Sequence, residues 1–435
     1  MSILKKILII SSDIIGVNMA GPGARYWNFA KVLADHFKVV LFTPNECPLT
    51  LEGVEIEKIS SSRIKTQLKD ASSVIVQGTT LWFHPYIKKF NVPIIVDLYD
   101  PFIFENLELF ESDKSMHRAA LSIMMDQLYA GDYFICASEK QRDFYLGMLS
   151  AINRINTLEY ALDKTMNGLI GVVPFGIPRE EPVHTRRVLK GQVPGIGEQD
   201  KVLIWGGGIW DWLDPFTAVY GMKKLLETRQ DVKLFFIGTQ PPNPNLISMK
   251  HAKQLISLAD FLGLTNKYVF FNSWAAYEDR QNYLLEADIG INLHYNHIET
   301  RFAFRTRMLD YIWCNLPVVT TEGDVLSQLL TEHSFGLSIE AENAEQFASA
   351  VNKILNNYQS YTRNSRMLLN ELTWENCMTE LIRFCENPRV SAGKNRVHKS
   401  KGLVKGKTHY YLLKGISYMK SGNYSDLFKK IKNKL

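Results

Sequence analysis

Two stretches of this chain, about 200 residues apart, open in the same way. Lys5–Ser12 (KKILIISS) is an apolar run that enters a loop with Gly16, Gly21 and Gly23. A helical pattern follows over 25–37, and a second apolar run, Val39–Thr43. Lys201–Trp205 (KVLIW) likewise feeds Gly206-Gly207-Gly208, a helical stretch over 215–228, and Val232–Gly238 (VKLFFIG). A buried strand, a glycine-bearing loop and a helix form the opening unit of a parallel α/β layer, because parallel strands need a crossover that packs back on the sheet. Meeting it twice predicts an α/β chain of two Rossmann-like domains in tandem. Further short apolar runs at 73–77, 93–98, 133–137 and 170–174 extend the first sheet, and 268–272, 289–293 and 317–321 the second. Helical patterns lie over 344–355 and 374–385. The segment 178–200 (PREEPVHTRRVLKGQVPGIGEQD), rich in Pro, Gly and charge, reads as the connection. The expected division is a first domain at 1–180, a linker at 181–200, a second domain at 201–388 and a tail at 389–435. Ligands of such sheets bind at the carboxyl ends of the strands. The glycine loops of the two domains should therefore face one cleft.

The window from His294 to Thr321 carries the chemistry. Glu299, Arg301, Arg305, Arg307 and Asp310 fall within it, just before an apolar strand. Carboxylates grip sugar hydroxyls with charge-assisted hydrogen bonds, and guanidiniums grip phosphate oxygens bidentately. Acids and fixed cations interleaved beside a helix start suit a ligand that is part sugar and part phosphate, such as a nucleotide-sugar. Gly206, Gly207 and Gly208 could leave backbone N–H groups free for a phosphate, or form only a tight turn. Gly21 and Gly23, before the first helix, share that logic, with Arg25 beside them. Asp97, Tyr99 and Asp100 end a first-domain strand on the cleft side. Asp100 is the candidate for contact with a donor sugar or an acceptor hydroxyl. His294 and His297 read as structural, and core packing is the default for Trp205, Trp210 and Trp212.

The tail differs from the body. Residues 389–435 hold 13 Lys or Arg and one acid, against 37 basic and 44 acidic residues in the rest. Basic residues interleaved with Tyr410, Tyr411, Leu412, Tyr418 and Phe428 describe contact with an anionic membrane surface. No recognition module accompanies the charge, so nucleic acid is not an expected partner. Five cysteines (Cys47, Cys136, Cys314, Cys377, Cys385) are scattered without metal-ligand spacing. There is no signal-peptide pattern, and no apolar run is long enough to span a bilayer. The expectation is a cytoplasmic protein at the inner face of the membrane.

The second domain resembles the donor half of GT-B glycosyltransferases, specifically glycosyltransferase family 4. The likeness rests on IWGGGIWDWLDPFTA (204–218), LFFIGTQPPNPN (234–245), YLLEADIGINLHYNHIETRFAFRTRMLDYIWCNLPVVTTEGD (283–324) and TWENC (373–377). The first domain is consistent with it through SSDIIGVNMAGPGARYWNFAKVLA (11–34), VDLYDPF (96–102), ICASEKQRDFYLG (135–147) and VVPFGIP (172–178). The resemblance implies retaining transfer of a sugar from a nucleotide-sugar to a saccharide or lipid-linked acceptor, as in bacterial surface-polysaccharide synthesis, with no cofactor and no obligatory metal. The family spaces two glutamates eight apart in the donor site, and the second binds ribose hydroxyls. Asp310 takes the second position here. The first falls on Phe302, and Glu299 is the nearest acid. The Arg and Lys that the family places after the glycine turn are replaced by Asp211 and Asp214, which leaves Arg305 and Arg307 to neutralise the phosphates. The family's first-domain His has no counterpart near Asp100. On this likeness the expected catalytic residues are Asp100, Glu299, Arg305 and Arg307. Gly21, Gly23, Arg25, Gly206, Gly207, Gly208, Arg301 and Asp310 join the arginines in holding the donor. An epimerase of the same architecture and a non-catalytic scaffold are the alternatives.

Overall fold

In a computed structural model, the structure describes residues 4–109, 114–246, 249–362, 369–392 and 394. Its first sheet has seven parallel strands: β1 (Lys6–Ile10), β2 (Lys38–Thr43), β3 (Val54–Lys58), β4 (Ser73–Gln77), β5 (Ile94–Asp97), β6 (Tyr133–Cys136) and β7 (Ile170–Val172). They lie in the order β3-β2-β1-β4-β5-β6-β7. The second sheet has six: β8 (Lys201–Gly208), β9 (Val232–Gly238), β10 (Val269–Phe271), β11 (Ile289–Asn292), β12 (Val318–Thr321) and β13 (Gly336–Ile339). Their order is β10-β9-β8-β11-β12-β13, again all parallel. Each sheet steps outward from its first strand and then reverses, the doubly wound arrangement of a Rossmann-like domain. Helices on both faces explain why β1, β4 and β11 are buried along their whole length and are mainly apolar rather than alternating. Four of the five cysteines are buried, and all are free thiols.

Two edge strands, β3 and β13, were not foreseen. β3 (VEIEK) is half exposed, with charges alternating along it, and β13 is four residues long. Both have a neighbour on one side only, so they lack the fully apolar signature of the central strands. The first helix begins at Gly21, four residues before the apolar pattern suggests, with Pro22 in its first turn, where a missing N–H costs nothing.

The connection between the domains is anchored rather than loose. The Glu286 carboxylate accepts the N–H groups of Val188, Leu189 and Lys190, and Asn282 accepts that of Thr185. This fastens 185–190 to the second-domain helix Arg280–Glu286. The end of the described chain does the reverse. The sequence reading assigned residues up to 388 to the second domain, but 373–392 lie on the first. Ile177 pairs with Thr373, Trp374 packs against Phe29 and Phe175, and Phe384 stacks on Tyr133 at 4.2 Å. Arg389 and Ser391 then bond the buried Glu159, and the Ser391 N–H bonds Asp132. These partners lie more than 190 residues away in sequence, beyond any local pattern. Of the basic, aromatic tail 389–435, to which membrane contact is ascribed, 393 and 395–435 lie outside the described residues. No helix among the described residues is long and apolar enough to cross a membrane.

The domains face each other across the carboxyl ends of both sheets. The Tyr277 N–H donates to Val17 O at 2.9 Å, Asn28 donates to the Tyr277 hydroxyl at 3.2 Å, and Gln141 donates to Phe302 O at 2.8 Å. Phe302 stacks on Phe104 and meets Phe144. Thus an aromatic cluster between domains occupies the position where the family resemblance puts a glutamate.

Candidate active site

A cavity of about 570 Å³ fills this interface. Residues at or just after the carboxyl ends of β1 (Ser12, Asp13), β4 (Gln77) and β5 (Asp97) line it from one side. The ends of β8 (Gly206, Gly207, Gly208) and β9 (Ile237) line it from the other. This is where the topology of open parallel sheets puts a ligand.

The second-domain wall is built around two arginines. Arg305 follows a short helix (Ile298–Phe302) and is buried. Its terminal nitrogens donate to both oxygens of Glu299, at 2.8 and 2.5 Å, while its Nε has no partner. Glu299 is 2 % exposed and does not line the cavity. The expectation that Glu299 acts on the substrate is corrected: both its oxygens are spent on Arg305, so it is a positioning residue. Arg307 opens the helix Arg307–Trp313 beneath the glycine loop. Its Nη2 donates to Gly208 O at 2.9 Å, and the guanidinium lies 4.6 Å from the Trp205 ring. Its Nη1 is buried without a partner, and no carboxylate pairs with it among the described residues. Burial, with the Arg305 charge nearby, pushes its pKa down to about 10. A buried cation that lacks a counter-charge is costly and calls for an anion.

Asp310 sits on the same helix and lines the cavity, its Oδ1 held by Arg280 Nε at 3.1 Å. Arg280 is itself clamped between Tyr277 (3.8 Å) and Trp313 (5.0 Å) and donates to Tyr277 O. Of the glycines, Gly207 has φ +102° with open space around it, a conformation that L side chains rarely adopt. The Gly206 N–H is not free for a phosphate, because it donates to the Tyr311 hydroxyl at 2.7 Å. Gly208 lines the cavity and gives its carbonyl to Arg307.

On the first-domain wall, Gly21 lines the cavity at the start of its helix. Two donor contacts expected beside it are corrected. Gly23 faces inward, where an added Cβ would stand 2.3 Å from Ile14 O, so this glycine serves close packing. Arg25 is fully buried, with Nε and Nη2 on Asp97 at 2.7 and 3.1 Å and Nη2 also on Val173 O at 2.8 Å. Phe29, Tyr99 and Phe175 surround its guanidinium. It is a core ion pair and does not reach the cavity. Arg301, likewise expected at the donor, is exposed and outside the lining of the cavity.

Asp100 does line the cavity. Burial, with Glu299 and Asp97 near, raises its pKa to about 6, and it hydrogen-bonds Glu105. Burial and the Asp100 charge hold Glu105 well above the usual carboxylate range. Asp13, at the end of β1, is also raised by burial and accepts the Asn243 amide from across the cleft. His294 is structural as expected, buried against Asp324 at 3.2 Å. Trp210 and Trp212 depart from the core-packing default: they stack with 3° between their planes, and both line the cavity.

Asp13, Gln77, Glu105, Asn243 and Arg280 were not singled out from the sequence. Asp13 and Gln77 carried a usable signal, since each is a polar residue at the carboxyl end of a first-domain strand. Glu105, Asn243 and Arg280 carried none, because a helix or loop folding over the cleft brings them in.

Residues 192–367 match the family model "Glycosyl transferases group 1". The frame is similar to several solved structures. These include the sucrose-phosphate synthase of Thermosynechococcus elongatus, at TM-score 0.62 and 13% identity, covering 88% of this chain and 98% of that one. Anabaena Alr3699/HepE in complex with UDP-glucose aligns at TM-score 0.60 and 13% identity, over 88% and 98% of the two chains. WaaG, a glycosyltransferase involved in lipopolysaccharide biosynthesis, aligns at 0.57 and 15%, over 87% and 98%. None of the curated proteins matches the sequence. Two facing Rossmann-like domains make this the GT-B fold, residues 192–367 are a group 1 glycosyl transferase domain, and the chain is a glycosyltransferase.

Proposed function

We propose that the chain transfers a sugar from a nucleotide-sugar, with retention, to a saccharide or lipid-linked acceptor in cell-surface polysaccharide synthesis, as a family 4 enzyme would. The observation that carries the donor half is Arg307, a buried guanidinium at the cavity wall with no counter-charge among the described residues, beside Arg305 and under the glycine loop. A diphosphate supplies the missing charge. The two arginines then stabilise the leaving nucleotide as negative charge builds on it. Asp310, with one oxygen held by Arg280, keeps the other for ribose hydroxyls.

In the reaction, the bond from the anomeric carbon to the phosphate oxygen breaks and a bond to the acceptor oxygen forms on the same face. The acceptor proton passes to the departing phosphate oxygen. Orientation and leaving-group stabilisation carry the rate. Asp97 takes no part, since Arg25 seals it. Asp100 lies where it can orient the acceptor hydroxyl. Solved neighbours hold UDP-glucose or UDP-2-fluoro glucose, which makes UDP the first nucleotide to try. A surface-polysaccharide role draws on the likeness to WaaG and on the basic tail, which would hold the enzyme at the inner face of the membrane.

The test is calorimetric titration of UDP, GDP, dTDP and CDP into the full chain, with Asp310→Ala and Arg305→Ala alongside. Micromolar binding of one nucleotide, weakened in both variants, is expected. No binding by any of the four to folded protein refutes the donor site.

A further inference from the structure

The cavity is charged by domain. Asp13, Asp97, Asp100 and Glu105 line it from the first domain, and no Lys, Arg or His among the described first-domain residues does. From the second domain come Arg280, Arg305 and Arg307, with Asp310. Asp97 is neutralised by Arg25, but the other three first-domain acids form no ion pair among the described residues, although the Arg305 charge is felt at Glu105. Asp13 takes an amide from Asn243 and the Ile14 N–H, while Asp100 and Glu105 hydrogen-bond each other. Between them stands Gln77 at the end of β4, 6 % exposed and lining the cavity, with its Oε1 buried and unpartnered.

These groups share one property. An amide both donates and accepts, and a carboxyl pair that holds one proton does the same. Sugar hydroxyls need both. A phosphate group offers chiefly acceptors and negative charge, and in this half it would meet three carboxyls, none of them ion-paired among the described residues. Burial raises the pKa of Asp13, Asp100 and Glu105, and the hydrogen-bonded Asp100–Glu105 pair favours holding a shared proton that it can donate to a hydroxyl. Met116 and Ile123 add an apolar wall for the C–H face of a ring.

We infer that the first-domain half of the cavity, built on Gln77, Asp100 and Glu105, is an acceptor subsite for an uncharged, polyhydroxylated sugar unit and discriminates against one that carries a phosphate. The inference rests on the transferase reading and names the acceptor class within it. Any phosphate of a longer acceptor would then lie outside this half of the cavity.

The test saturates the full chain with its nucleotide diphosphate, so that Arg305 and Arg307 are occupied. Ligand-observed NMR then measures binding of glucose, galactose, mannose and N-acetylglucosamine, each beside its 1-phosphate and 6-phosphate. At least one neutral sugar should bind, with its phosphates weaker by about tenfold or more. Gln77→Leu should weaken the neutral sugar while leaving nucleotide affinity unchanged, and Glu105→Lys should narrow the discrimination against phosphate. A phosphate ester that binds as well as its parent sugar would overturn the inference. So would failure of all four neutral sugars, or an unchanged sugar affinity in Gln77→Leu. If the wild-type chain binds no nucleotide, the transferase reading itself fails, a result distinct from these.

Discussion

Replacing Arg307 with Met separates a ligand-binding cation from a structural one. The thioether keeps the stem volume and a contact with the Trp205 ring, and removes the charge and the bond to Gly208 O. The lost bond is worth about 0.5–1.5 kcal/mol to the fold. Against it stands relief of a charge whose pKa burial has pushed down from the ordinary arginine range to about 10, a cost of up to about 3 kcal/mol carried by the folded state. The relief can outweigh the loss, so the unfolding free energy should fall by no more than about 1 kcal/mol and can rise by up to about 2 kcal/mol. Binding should move the other way. A charge-assisted bond to a phosphate is worth about 1.5–3 kcal/mol, or about 10- to 100-fold in Kd. The free nucleoside, which has no phosphate, should lose nothing. Calorimetry with the nucleoside and its diphosphate, beside urea unfolding of both proteins, gives the four numbers required. If the variant lost several kcal/mol of stability while holding the diphosphate as tightly as wild type, Arg307 would be a structural residue and the donor-site argument would fall.

Other outcomes follow from the same geometry. Glu299→Gln leaves the buried Arg305 without its counter-charge and should cost about 3–5 kcal/mol, whereas the double change Glu299→Gln with Arg305→Met should cost less than the sum, as a double-mutant cycle in urea would read. Asp100 has a folded pKa raised to about 6 from an ordinary 3.8, so the fold favours its protonated form. Its contribution is greatest below about pH 4 and is lost as pH climbs through 6, and Asp100→Asn should gain at most about 3 kcal/mol over wild type at pH 8 and much less at pH 5. Melting curves at the two pH values check the sign. Gly207→Ala forces a side chain onto φ +102° and should destabilise by about 1–3 kcal/mol, seen as a lower urea midpoint. A chain ended at residue 388 strips the partners from buried Glu159 and should be about 2 kcal/mol or more less stable in thermal unfolding than one ended at 394.

The central elements were legible because their causes are local. β1 and β8 are runs of buried apolar residues ending in glycine-bearing loops, and a parallel strand covered on both faces cannot read otherwise. Asp310 and Arg307 could be placed at the cavity because they fall where a short helix leads into β12, next to the carboxyl ends of β8 and β11. The pairing of charges was not legible. Arg25 and Arg307 look alike in sequence, one after a glycine loop and one before an apolar strand. Arg25 finds Asp97 at the end of another strand and is sealed, while Arg307, among the described residues, hydrogen-bonds a carbonyl and pairs with no carboxylate. Glu299 and Arg305, six residues apart, bind each other, and that removes Glu299 from the cavity.

What the amino-acid sequence determined by itself is the periodic burial pattern, and with it the two doubly wound sheets and the cleft between their strand ends. Folding of distant segments decided the rest. A helix over 102–109 carries Glu105 to Asp100, and loops bring Asn243 to Asp13 and Arg280 to Asp310. The return of 373–392 to the first domain is set by Ile177, Tyr133 and Glu159. Each of these pairings joins groups that share no periodicity. A carboxylate's role depends on which partner neutralises it, and only the packed structure chooses that partner.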